Sequence, residues 1–370
     1  MAVVRGTTER HVLVFGAGGW QRCRAVAEQY LAKRHLRPLL FPETGHAVIE
    51  KVPKRVLTRL RAMNGLKVRA EPLFVRPSSL VGAPPASSVF LGDADRSWPL
   101  IALGLRADAQ DGAGIQVGLI DSGVELGHPA LVGSVSAGSA DGGVDSLGHG
   151  THCAGVIVGR KLSAGPRFGL APRAHVRSYR LFDATRQATE GRVRDLVSLA
   201  VKDGCHVIVL AGGVESLAFT PEDATLGNWL TSIGRLMVAA AGNESNRSGR
   251  DIRPTLAPAN APGVYAIGAH NSGLRLWNSS NGLGIDPATR VDAVAPGVDV
   301  LSAWPGGRTQ FVTGSSAATA IAGGLAAALW SRRPSLRAAD LSALMLRLAR
   351  RNVNGEADGI GAGALAFGAI

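Results

Sequence analysis

The sequence predicts an α/β fold with a doubly wound, mostly parallel sheet, preceded by a small α/β unit. Two observations carry this. The runs Ile115–Ile120, Val176–Leu181, Val207–Leu210, Leu236–Ala240 and Val264–Ile267 are short and mostly apolar, which suits strands buried on both faces. Between and after them lie helix candidates Gly150–Val158, Val193–Lys202, Asp223–Ile233, Ala317–Ser331 and Ala338–Arg351, and alternation of this kind winds a parallel sheet. A hydrophobic fraction of 46% and 48 glycines among 370 residues fit a compact core with tight turns, not disorder.

The first 76 residues follow another order. His11–Phe15 reads as a strand and Trp20–Arg34 as a helix, while Arg37–Phe41 and His46–Lys51 pair around the Pro42–Gly45 turn. Pro53 opens a helix over Lys54–Asn64, at the first-turn position proline tolerates. Gly65 ends it, and Leu66–Val75 returns as a strand. This β-α-β-β-α-β order is the split, ferredoxin-like pattern. Residues 77–95 contain Pro-Ser-Ser, Gly-Ala-Pro-Pro and Ala-Ser-Ser without any period, and read as a linker. The expected division is therefore a small domain over 1–76, a linker over 77–95 and a large domain over 96–370.

Net charge is +12, but residues 1–76 hold 15 Lys/Arg against 5 Asp/Glu. The excess thus belongs to the N-terminal fifth. Such asymmetry marks two domains with different partners rather than one nucleic-acid surface, so no nucleic-acid partner is expected. Phe311–Ser331 carries no charge but is mostly Gly, Ala, Ser and Thr; it reads as a buried helix, not a membrane span. Cys23, Cys153 and Cys205 form no disulfide framework and no CxxC pair. Arg5, Glu9 and Arg10 crowd the start, and Val12–Phe15 is too short for a signal h-region. The expectation is a soluble, cytoplasmic protein without a membrane partner.

Four segments carry candidate chemistry. Asp121 follows the strand Ile115–Ile120, at the strand end where open α/β sheets build sites; alone it equally opens a turn. His149 stands between glycines in Gly148-His149-Gly150-Thr151-His152. Two histidines three apart suggest a metal pair, but HEXXH spacing and a third ligand are lacking, so no metal site is expected. Ser316 lies at the start of a small-residue helix, where the dipole and free N–H groups favour its oxygen; alone it is a preferred N-cap residue. Asn243, in Ala240-Ala241-Gly242-Asn243, sits where a side-chain amide can donate to an oxyanion, or simply turns the chain.

Together these segments, in the order Asp, His, Asn, Ser, resemble the subtilisin-like serine proteases. Val117-Gly-Leu-Ile-Asp-Ser-Gly-Val124, Gly127-His128-Pro129, Gly169-Leu-Ala-Pro172 and Val294-Ala-Pro-Gly297 extend the resemblance over about residues 96–368. It implies a serine endopeptidase acting on extended polypeptide, with Asp121, His149 and Ser316 as the catalytic triad. The oxyanion hole would combine the Ser316 N–H with the Asn243 amide. Ala211, Gly212 and Gly213, with Ala240, Ala241 and Gly242, would bind substrate backbone. The second of the adjacent serines, Ser315 and Ser316, is assigned as nucleophile because relatives carry Thr-Ser there. The competing function is a catalytically silent peptide-binding protein on the same fold.

The sequence departs from the family in several places. Ala317, Ala320 and Ile321 replace the usual Met, Pro and His after the nucleophile. The calcium site common in relatives lacks ligands: Ala130 stands for an Asp, and Gly159-Arg-Lys-Leu-Ser163 brings two cations where Asn ligands are usual. No cofactor is expected, and calcium least of all at that place. Cys153, one helical turn after His149, matches relatives sensitive to thiol reagents; otherwise it is a buried small hydrophobe. The N-terminal unit resembles the family's propeptide in position, size and topology, which implies an intramolecular chaperone and inhibitor. Its tail near Val75–Pro85 would thread the cleft, with cleavage in 77–97. Gly16-Ala17-Gly18-Gly19 mimics a dinucleotide loop, but Gln21 replaces the third glycine.

Overall fold

The computed structural model describes residues 10–15, 31, 39–41, 46–50, 52–63, 66–70, 73–74, 80–81, 98–106, 111–161, 167–183, 188–213, 220–282, 291–354 and 357–368. The N-terminal part contributes β1 (Arg10–Phe15), β2 (Leu39–Phe41), β3 (His46–Glu50), α1 (Lys54–Arg61) and β4 (Leu66–Ala70). Its strands form an antiparallel sheet in the order β2-β3-β1-β4. Leu13 of β1 and Ala47 and Ile49, two apart on β3, pack with Val56 and Leu60 of α1 in a small core of their own. The predicted helix Trp20–Arg34 and the glycine run 16–19 lie outside the described residues, except Leu31, which is helical and buried.

Two expectations need correction here. Leu66–Val75 is not one strand: β4 stops at Ala70, and β5 (Leu73–Phe74) pairs elsewhere. The linker 77–95 is not without structure either, because it contains β6 (Leu80–Val81). A two-residue strand has no period to read, and its partner lies far along the chain.

After α2 (Trp98–Leu103) the large domain begins. It contains β7 (Gln116–Asp121), β8 (Val135–Ala137), α3 (His149–Val158), β9 (His175–Arg180), β10 (Ala188–Thr189), α4 (Glu190–Lys202), β11 (Val207–Leu210), α5 (Pro221–Ser232), β12 (Leu236–Ala240), β13 (Val264–His270) and β14 (Ala293–Pro296). The hairpin β15 (Val300–Trp304) and β16 (Arg308–Thr313) follows, then α6 (Ser315–Arg332) and α7 (Ala338–Leu348). The seven-stranded sheet runs β14-β13-β12-β11-β7-β9-β8, and every pairing in it is parallel.

Alternate residues of each strand face opposite layers. Val117, Leu119, Val207, Val209 and Val238 pack in one core with residues of α3, α6 and α7. Ile120, Ile208, Leu210, Met237 and Ala239 pack in the other with residues of α4 and α5. The sheet is therefore covered on both sides, as the apolar runs require. From β7 the chain winds outward to β8 and β9, then crosses to β11 on the opposite side. That reversal makes the carboxyl end of β7 a topological switch point, where such sheets open a crevice.

The charge-free stretch divides into the end of β16 and most of α6, whose residues from Ser315 to Trp330 are all buried. A helix apolar on every side must run through a core. Among the described residues no helix is long and apolar enough to cross a membrane.

Candidate active site

Three element ends converge at the switch point. Asp121 is the last residue of β7, His149 the first of α3, and Ser316 the second of α6. The His149 Nδ1–H donates to the Asp121 carboxylate, at 2.8 Å from Oδ1 and 3.0 Å from Oδ2. On the other side of the ring, the Ser316 hydroxyl donates to Nε2 at 2.9 Å. Asp121 and Ser316 are each 1% exposed and His149 9%. The three predicted triad residues thus form one relay with the imidazole at its centre.

The local backbone explains how His149 reaches this position. Gly148 before it has φ +83°, and a side chain there would run into the Trp304 ring, so only glycine fits. With glycine at its N-cap, α3 has no capping side chain of its own. Asp145 takes that role from one turn earlier. Its Oδ1 accepts from the Gly148 N–H (2.8 Å), the Leu147 N–H (3.1 Å) and the Ser122 hydroxyl (2.9 Å); its Oδ2 accepts from the Thr151 N–H (2.8 Å) and hydroxyl (2.6 Å). Ser122 in turn accepts from the Gly150 N–H at 2.9 Å. Asp145 and Ser122 therefore tie the end of β7 to the start of α3. Sequence reasoning missed both; an acidic residue just ahead of an uncapped helix was the available signal.

Burial alone would lower the His149 pKa, but the Asp121 charge, its hydrogen bond and the Asp145 charge outweigh that and leave it raised above 6.5. His152, by contrast, is held down at about 4 by burial, with its Nε2–H donating to the Val300 carbonyl at 2.8 Å. It is a neutral packing residue and not a second base.

The adjacent serines separate cleanly. The Ser315 hydroxyl accepts from the Gly242 N–H at 3.1 Å, whereas the Ser316 hydroxyl faces His149. Asn243, half-buried on the turn after β12, accepts the Ser315 N–H at its Oδ1 at 2.8 Å. That bond fixes which end of the amide faces the nucleophile helix and commits the NH₂ group to the donor role. Ala211–Gly213 follow β11, Ala240 ends the neighbouring β12 with Ala241 and Gly242 after it, and all six are buried. Gly213 and Gly242 both face Leu256, and a Cβ on either would meet it.

Asp121, His149 and Cys153 each offer a ligand atom within 4.8 Å of the others. Two of the three already bond to each other in the relay, so the set is a triad with a thiol packed on it. Cys153 Sγ lies 4.0 Å from His149 Nδ1, and burial, followed by the Asp121 charge, pushes its pKa well above the usual value. Ala130 is buried, and its carbonyl accepts the Arg160 N–H at 2.9 Å.

A hydroxyl, an imidazole and a buried carboxylate in hydrogen-bonded series define a nucleophilic serine centre. The Subtilase family profile matches residues 112–363, and the chain belongs to that family. It is 34% identical over 225 residues to the thermophilic serine proteinase of Bacillus sp. (strain AK1), covering 60% of this chain and 53% of that protein. It is 30% identical over 239 residues to subtilisin E of Bacillus subtilis (strain 168), covering 62% and 59%. The match thus spans little more than half the length of these curated relatives. Fervidolysin of Fervidobacterium pennivorans, a keratinolytic enzyme related to subtilisin, superposes with TM-score 0.77 at 20% identity, over 99% of this chain and 61% of that one. A mutant of the epidermin leader peptide processing serine protease of Staphylococcus aureus superposes with TM-score 0.75 at 18% identity, over 98% of both chains. At these identities the two structures establish the shared fold.

The thiol contact makes Cys153 a handle on the relay. A mercurial bonded to Sγ crowds the ring that must turn between Asp121 and Ser316, and peptidase rate is expected to fall at least about tenfold. Cys153→Ala should be insensitive, while full activity after confirmed modification of Cys153 refutes the contact's importance.

Proposed function

We propose that the chain is a serine endopeptidase that hydrolyses peptide bonds through an acyl-enzyme on Ser316. The single observation that carries this is the His149 ring bridging Asp121 and Ser316 at hydrogen-bond distance on both sides. Ser316 Oγ attacks the scissile carbonyl while Nε2 takes its proton. The resulting imidazolium is stabilised by Asp121, and it returns the proton to the leaving amine. The Ser316 N–H and the Asn243 amide take the oxyanion, where a single donor is worth about 3 kcal/mol of barrier. An intact relay argues against the silent peptide-binder, which has no use for a buried base aimed at a serine.

The N-terminal unit is proposed to be this domain's own inhibitor, held across the cleft as an extended segment. Two short antiparallel pairings support that reading. Leu73–Phe74 pairs with Ala188–Thr189, the residues that lead into α4, and Leu80–Val81 pairs with Thr313–Val312, just ahead of Ser316. Backbone pairing of this kind is how a sheet rim captures an extended peptide. The processing bond would then lie within the link between Phe74 and Leu80, which begins before the interval 77–97 that the propeptide resemblance implies and overlaps its start. Absence of calcium at the Ala130 position belongs to the same proposal.

Charge supports the docking as well. Glu190 and Glu222 stand in the first turns of α4 and α5, where the helix dipoles favour them. Arg69 of β4 donates to both, at 2.9 Å and 3.3 Å. Buried Arg194 lies 3.4 Å from both Glu190 and Asp223, joining the two helices behind that contact. The basic excess of the N-terminal unit thus includes a residue placed against acidic groups of the large domain.

Expression of the full chain tests the processing. Wild type should accumulate as two pieces with a new N-terminus among residues 75–80, and Ser316→Ala should stay whole. An uncleaved wild type that also ignores serine-reactive phosphonates favours the silent binder, and a cut outside the link contradicts the threading. In the processed protein, Arg69→Ala should weaken retention of the N-terminal piece by about 2 kcal/mol, roughly thirty-fold, read as faster appearance of peptidase activity on dilution. Unchanged retention removes Arg69 from the interface.

A further inference from the structure

The oxyanion donor is held by a residue that is far from it in sequence. Asn281, fully buried on the segment after β13, spends its whole side chain on the turn that carries Asn243. Its Oδ1 accepts from the Glu244 N–H at 2.9 Å, the Ser245 N–H at 3.0 Å and the Ser245 hydroxyl at 3.1 Å. Its Nδ2 donates to Glu244 Oε2 at 2.8 Å and to the Pro254 carbonyl at 3.1 Å. Its backbone N–H donates to the Gly242 carbonyl at 3.1 Å. Glu244 Oε2 also accepts the Asn243 N–H at 2.8 Å. The backbone polar groups on both sides of Asn243 are therefore held by Asn281, directly or through one carboxylate oxygen.

The other end of the turn is held by the nucleophile helix, through the Ser315 N–H on Asn243 Oδ1 and the Gly242 N–H on the Ser315 hydroxyl. Gly242 adopts φ +113°, and any side chain there would strike the Asn281 amide. The approach is thus close enough that no residue but glycine fits between them.

We infer that Asn281, acting with Glu244, is the positioning residue of the oxyanion hole: it sets the Asn243 amide at the height where the developing alkoxide forms. The inference rests on the peptidase reading above. Only an amide meets the demands of the place. The position must accept from three donors and donate to two acceptors, one of them a carboxylate, so an Asp loses both donated bonds and repels Glu244, while an apolar residue orphans the turn. An oxyanion donor acts only when it is fixed before the charge arrives, so loosening this support should affect turnover more than substrate binding.

The test is a double-mutant cycle in the full chain on a chromogenic peptide, with melting temperature recorded for each variant. Asn281→Asp is expected to lower kcat by about ten- to hundred-fold with KM changed less than about threefold. In an Asn243→Ala background the same substitution should cost less than about twofold more in kcat, while the drop in melting temperature is similar in both backgrounds. A merely structural role predicts equal losses in both, and that result overturns the inference, as does a rise in KM with kcat preserved. Glu244→Ala, run in the same cycle, should show the same non-additivity at smaller amplitude, and it decides the matter if Asn281→Asp fails to fold. Wild type without hydrolysis and without labelling at Ser316 rejects the peptidase reading itself; active wild type with additive losses rejects only the role of Asn281.

Discussion

Everything in the large domain depends on keeping an aspartate carboxylate and an imidazole together where water scarcely reaches. A buried carboxylate is costly unless its oxygens are occupied. Asp121 meets that cost with the His149 Nδ1–H and with the Ser122 N–H at 2.6 Å. The same bond fixes the imidazole's tautomer and leaves its Nε2 lone pair facing Ser316. The sheet reversal beside β7, the glycine before His149 and the Asp145 cap all serve to make that contact possible.

The nucleophile is placed by packing along its helix, with Asn243 Oδ1 taking the Ser315 N–H at the helix start. Helix α6 runs through the core with small residues on every side, and its glycines allow near contact: Gly323 faces the Val209 side chain of β11, and Gly324 faces Leu170. A helix that cannot shift sideways holds its first turn in place. Ser315 and Ser316 are therefore presented at a fixed depth, one toward the Asn243 turn and the other toward the base. Loss of the family's Met, Pro and His in this helix leaves Ala317, Ala320 and Ile321 fully buried there, and the relay still assembles. Those three side chains are not needed to aim Ser316.

Much of this was legible in the sequence because it follows from local rules. Val207–Leu210 and Leu236–Ala240 are strands with the predicted limits, since uninterrupted apolar runs flanked by turns leave a buried strand little freedom. The relay residues were legible by another route: alone each reads as a turn or cap residue, and only the segments around Asp121, His149, Asn243 and Ser316 taken together resemble the subtilisin-like serine proteases. The hairpin Val300–Trp304 and Arg308–Thr313 was not, for its exposed end alternates weakly and its order comes from pairing across the Pro305-Gly306-Gly307 turn. Leu73–Phe74 and Leu80–Val81 were hidden because they are strands only by virtue of distant partners. Asn281 was hidden because its significance lies in hydrogen bonds to a distant turn, which no local pattern encodes, whereas Asp145 stood just ahead of a helix without a capping side chain.

The account stands or falls on His149 acting as the base for Ser316. A direct measurement is the rate of Ser316 phosphonylation between about pH 5 and pH 9, with the labelled residue located by peptide mass mapping. The Asp121 and Asp145 charges raise the His149 pKa above 6.5, and only the neutral ring can take the serine proton. The rate should therefore climb through one ionisation above 6.5 to a plateau, with all label on Ser316. A rate that is flat across that range, or label carried by Ser315, would contradict it.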